Sequence, residues 1–133
     1  MNFNLEEANN SLVFVKPVVQ DIQDAWAQIK LLKLQAEQNG EYYEKELTTL
    51  MKKIEYNMQE LQQTGAILKD LDEGLVDFPS FYKNEPIYLC WKIGETRIDF
   101  WHFQEEGING RVKIDEEFSM LNSKNADLEI SLG

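Results

Sequence analysis

The sequence contains one cysteine, one histidine and three prolines in 133 residues, and its basic side chains are far outnumbered by its acidic ones. A single thiol, Cys90, closes no internal disulfide, so the fold must rest on a hydrophobic core instead of covalent staples. One cysteine and one histidine also fall short of a soft four-ligand zinc site, which would need several carboxylates besides. Thirteen Lys and Arg against twenty-four Asp and Glu leave a formal charge of -11, which repels a phosphate backbone and excludes nucleic acid as an expected partner. No run reaches the roughly eighteen apolar residues of a membrane span, because the longest candidate is broken by Lys16 and Pro17, so no membrane partner is expected. The opening MNFNLEEANNS lacks the charged and apolar regions of a signal peptide, and cytoplasmic localisation is the expectation. What is present is ordinary globular composition, 43% apolar with 11% aromatic residues.

Two apolar seams with alternating spacings of three and four run through the first half. Asn4 followed by Glu7 reads as a capped helix start. The first seam is Leu12, Val15, Val19, Ile22, Trp26, Ile29 and Ala36, ending at the left-handed residues Asn39 and Gly40. Pro17 lies inside it and predicts a kink or short break near residues 15–17. The second seam is Leu47, Met51, Ile54, Met58, Leu61, Gly65 and Leu68. Two helices of about 24 to 27 residues joined by a short turn predict a long antiparallel, coiled-coil-like hairpin over residues 5–64.

Strand and turn patterns follow in residues 65–112. Residues 66–71 and 75–78 flank Asp72, Glu73 and Gly74 as a first hairpin that stops at Pro79. Residues 86–93 and 96–103 flank Gly94 and Glu95 as a second, clearer one. A tight turn there pairs Cys90 with Asp99, Tyr88 with Trp101 and Ile87 with His102. Alternation then assigns Ile87, Leu89, Trp91, Ile93, Ile98, Phe100 and His102 to a core face, with Trp91 as its anchor. Tyr88, Cys90, Lys92, Arg97, Asp99, Trp101 and Phe103 fall on the other. The fold class is therefore α+β, a helical hairpin packed at its base on a small antiparallel sheet. Residues 1–112 read as one domain, and 113–133 as an acidic tail with a short apolar return at Leu128, Ile130 and Leu132.

The segments NLEEANNSL, LKDLDEGLVDFPSF, IYLCWKIGE, FWHF and GINGR, in this order, resemble the uncharacterised bacterial family called domain of unknown function 2203. The resemblance covers residues 3–112 and rests most on GLVDFP and YLCW. It includes Asp70, Gly74, Asp77, Pro79, Trp91, Gly94, Glu95, Trp101, His102, Gly107 and Arg111. It implies a shared fold and no particular activity.

Two functions from different classes fit these residues. The first is a homo-oligomeric scaffold or protein-interaction module without catalysis, whose hairpin meets a second copy or another protein. Its surface would be Trp26, Ile29, Leu32, Leu47, Met51 and Ile54 on the helices, with Tyr88, Trp101 and Phe103 on the sheet. The expected partner is a second copy, giving a homodimer. The second is a small-molecule or metal-ion site, with an enzyme as its most ambitious form, at the junction of sheet and hairpin. That site would use Asp70, Asp77, His102 and Arg111. His102 is an acid or base by residue type, or else a structural hydrogen-bonding group. The register above sets Cys90 and His102 on opposite faces, which disfavours a nucleophile pair. Asp70, Asp72 and Asp77 lack the glycine and glutamate placement of a calcium loop, and no metal ligands are assigned. Gly107, Ile108, Asn109, Gly110 and Arg111 read as a turn and not a phosphate loop. These residues identify no cofactor.

Overall fold

The computed structural model describes residues 2–123. Helix α1 spans Leu5–Asn39 and helix α2 spans Glu44–Thr64, antiparallel neighbours. The Asn4 side chain accepts from the Glu7 amide at 2.8 Å while Glu7 reaches back to the Asn4 amide at 3.0 Å, closing the capping box. Gly40 ends α1 at φ 71°, in the left-handed region. The break expected at Pro17 does not occur, and α1 runs unbroken for 35 residues. Pro17 is exposed, and Val13, whose carbonyl the missing amide would have met, is 85% exposed. The freed carbonyl therefore lies on the solvent side of the helix, where a missing amide costs least, and the ring points away from the core.

Among the described residues, five antiparallel strands form one sheet in the order β1 to β5: Ile67–Asp70, Leu75–Tyr82, Glu85–Lys92, Phe100–Phe103 and Val112–Lys113. Strand β2 runs through Pro79 instead of stopping there. The Pro79 carbonyl accepts from the Phe3 amide at 2.7 Å, on the side away from β3. The nitrogen of the same residue faces that side as well, so the ladder to β3 loses no donor. Lys83 and Asn84, at φ 50° and 65°, make the tight turn into β3.

The β3–β4 register departs by one residue from the expected one. Ile87 pairs with Phe103, Tyr88 with His102, Leu89 with Trp101 and Cys90 with Phe100. The connection is not a two-residue turn. Residues 93–99 form a loop that docks on α1, where the Ile98 amide donates to Asn9 at 2.8 Å and the Ile98 side chain is buried. One residue's shift exchanges faces: Trp101 enters the core, and His102 joins Asp77, Tyr88 and Cys90 on the face turned from the helices.

The core lies between sheet and helices. Leu12, Val15, Val19 and Ile22 of α1 meet Val76, Phe78, Leu89 and Trp91 of the sheet. Trp91 is fully buried as expected, its indole N–H donating to the Glu95 carbonyl at 2.9 Å. Residues 115–122 also pack on this core. Helix α3, Glu116–Leu121, inserts Phe118 beside Tyr82 and Trp101 at centroid distances of 4.6 and 5.5 Å. Asn122 then accepts from the Leu5 amide at 2.6 Å and donates to the Phe81 carbonyl at 2.8 Å, tying α3 to the start of α1 and to β2. The expected apolar return at Leu128, Ile130 and Leu132 lies outside the described residues.

Candidate functional site

Asp77 on β2, Cys90 on β3 and His102 on β4 stand side by side on the outer sheet face. Alternation aims all three the same way, and each is at most 4% exposed. His102 Nδ1 lies 2.7 Å from the Phe103 carbonyl, and Nε2 lies 3.1 and 3.2 Å from the two Asp77 oxygens. A carbonyl oxygen only accepts, so Nδ1 carries the proton. Nε2 then faces a carboxylate, another acceptor, and a cation between them would satisfy both.

Burial first, and the neighbouring Asp77 carboxylate second, push the Cys90 thiol up to about 12, while the Arg111 guanidinium pulls in the opposite direction. The neutral thiol is therefore unreactive by itself. A pocket of ≈ 140 Å³ opens above the three residues, with Lys69, Tyr88 and Glu106 among its lining. Arg111 flanks the cluster: it donates to Glu95 at 2.8 Å and lies over the Phe100 ring at 4.1 Å from its centroid. Asp70 is exposed and does not join, since its carboxylate accepts from the Glu73 amide at 2.9 Å and closes the β1–β2 turn. Asp72 likewise serves the turn, where a hydrogen bond from the Trp26 indole, followed by Lys30, holds its carboxyl below the ordinary carboxylate range.

Of the four residues expected at one ligand site, Asp77 and His102 meet, Arg111 stands beside them and Asp70 does not. The site lies on the sheet face away from the hairpin, not at their junction, because the register turns His102 outward. Cys90, set aside by the tight-turn register, is the residue that sequence reasoning missed. A signal was present: pairing Leu89 with Trp101 places the larger aromatic in the core and the histidine outside.

The hairpin's apolar residues divide differently from the expected stripe. Ile29 is 3% exposed and thus no free surface, because the two helices cover it themselves. Trp26 is half-buried and donates to Asp72 at 2.7 Å, and Ile54 packs against the core cluster. Leu32 and Leu47 are half-buried, and Met51 is 62% exposed. On the sheet, Trp101 is in the core, Tyr88 is half-buried over the cluster and Phe103 is 38% exposed at the strand end. The β1–β2 turn grips α1 through Gln23, Trp26 and Lys30, and the sheet's cover ends there. Farther out, Leu31, Leu32 and Leu50 line a groove of ≈ 580 Å³ between the helices.

A family model described as "Uncharacterized conserved protein (DUF2203)" matches residues 2–114. The chain belongs to this family. The DUF2203 match takes in both helices of the hairpin, all five strands and the three clustered residues, and it ends before α3. No curated protein and no solved structure shows a significant match to the chain. Among the described residues no helix is long and apolar enough to cross a membrane.

Proposed function

We propose that this DUF2203 chain is a cytoplasmic interaction module, without catalysis of its own, that pairs with a second copy through the distal half of its helical hairpin. The observation that carries the reading is the state of residues 30–56. No side chain there is buried, yet Leu31, Leu34 and Met51 are 53%, 50% and 62% exposed. Hydrophobic residues left open along one end of a helix pair favour a further helical layer.

Charge favours a second copy as that layer. Residues 30–56 hold five lysines (30, 33, 45, 52, 53) and five glutamates (37, 41, 44, 46, 55), a balance of zero, while the whole chain carries -11. The rest of the chain carries the whole net charge, whereas two copies meeting here do so without net repulsion. A two-fold axis across the groove contributes each leucine twice and completes an antiparallel four-helix bundle.

Sedimentation equilibrium on the full chain tests the pairing. Burying one leucine is worth about 1.5 to 3 kcal/mol. A substitution is felt twice across the axis, so Leu31→Glu raises the dimer Kd by about 100-fold or more. Met51→Glu acts in the same direction. A wild-type chain that stays monomeric at tens of micromolar contradicts the reading, as does a dimer indifferent to both charges.

A further inference from the structure

Three strands bring a carboxylate, a thiol and an imidazole to one buried point on the sheet face opposite the helical layer. We propose that Asp77, Cys90 and His102 bind one Zn²⁺ per chain, through a carboxylate oxygen, Sγ and Nε2, with the fourth position open to the pocket above them.

The donor atoms lie within 4.8 Å of one another, in residues that are all buried. Ligands around a tetrahedral zinc with bonds of about 2.0 to 2.3 Å stand roughly 3.3 to 3.8 Å apart. The Nε2 to Asp77 distance of 3.1 Å is a few tenths short of that, and no pair of donors is more than 4.8 Å apart, so small side-chain shifts reach it. The Phe103 carbonyl fixes the Nδ1 proton and leaves the Nε2 lone pair aimed into the cluster, as an outer partner does for a metal-bound histidine. The acceptor-to-acceptor contact between Nε2 and Asp77 is relieved by a cation.

The charges also balance. Zn²⁺ with one thiolate, one carboxylate and a neutral imidazole leaves the site neutral, the displaced protons passing to solvent. The two anionic ligands thus match the buried dication, which must displace the thiol proton on binding. The Arg111 guanidinium nearby is already matched by Glu95 at 2.8 Å. A sulfur donor disfavours Ca²⁺ and Mg²⁺, which take oxygen ligands, and a mixed S, N and O set suits zinc. One carboxylate suffices because the pocket of ≈ 140 Å³ has room for water or a small anion as the fourth ligand.

Cobalt(II) titration of the full chain tests the site, because Cys90 is its only thiol and a thiolate-to-cobalt charge-transfer band can arise nowhere else. The expected result is a band that saturates at one equivalent and is displaced by Zn²⁺. His102→Gln and Asp77→Asn should weaken uptake by about tenfold or more, and Cys90→Ser should abolish the band. A folded wild-type chain that shows no band at equimolar cobalt overturns the proposal, and so does uptake undiminished in both His102→Gln and Asp77→Asn. Should Cys90→Ser fail to fold, the wild-type titration decides by itself.

Discussion

Cys90 in the metal-free chain should be almost inert to alkylation. Its thiol is pushed up from an ordinary 9.0 to about 12 by burial and by Asp77. At pH 8 the reactive thiolate then falls from about one molecule in ten to about one in ten thousand, which the greater nucleophilicity of a more basic thiolate offsets only in part. Access lowers the rate further, since the residue is 2% exposed. Transient unfolding at a typical stability of about 5 kcal/mol exposes only roughly one chain in several thousand, too small a leak to hide the effect. The assay is iodoacetamide labelling with chelator present, followed by intact mass, in buffer and in denaturant. Native labelling within tenfold of the denatured rate would refute the placement of Cys90. The same shift has a stability sign. The native thiol holds its proton above 9.0 while the unfolded one releases it, so this contribution to stability is intact below 9.0 and is lost as pH climbs toward 12. Cys90→Ser should lose less stability over that range.

Phe118→Ala should cost about 3 to 5 kcal/mol in urea denaturation, because the ring is 1% exposed between Tyr82 and Trp101; a loss under about 1 kcal/mol would mean that α3 is not part of the core. Gly74→Ala should cost about 2 to 4 kcal/mol, since φ is 64° and an added Cβ would lie 2.5 Å from the Ile93 Cγ2. An unchanged melting temperature in that variant would contradict the β1–β2 turn geometry.

Local signals in the sequence were strong wherever backbone chemistry decides the outcome. The Asn4 and Glu7 box, the Gly40 stop and the apolar spacing of α1 and α2 announce the hairpin, and Trp91 announces the core face. Tertiary effects decided the rest. Pro17 ordinarily breaks a helix, but its exposed position made it harmless. Pro79 ordinarily ends a strand, but its nitrogen points away from the only neighbour paired at that point. Lys83 and Asn84 adopt positive φ without glycine, so the turn between β2 and β3 carried little signal. The register of β3 and β4 depended on whether Ile98 belongs to a strand or is drawn into the core by α1, a contact with Asn9 across 89 positions of sequence. That single residue moved His102 across the sheet, separated Trp101 from the surface and joined Cys90 to Asp77. The candidate site was therefore legible as residue types and illegible as a constellation.

Hydrogen–deuterium exchange of the full chain at low and high protein concentration tests most directly whether the distal hairpin is where two copies meet. Pairing predicts that amides in residues 30–56 gain protection as concentration rises through the dimer Kd, with the sheet amides unchanged. Protection in residues 30–56 that does not depend on concentration, or a gain confined to the sheet, would contradict it.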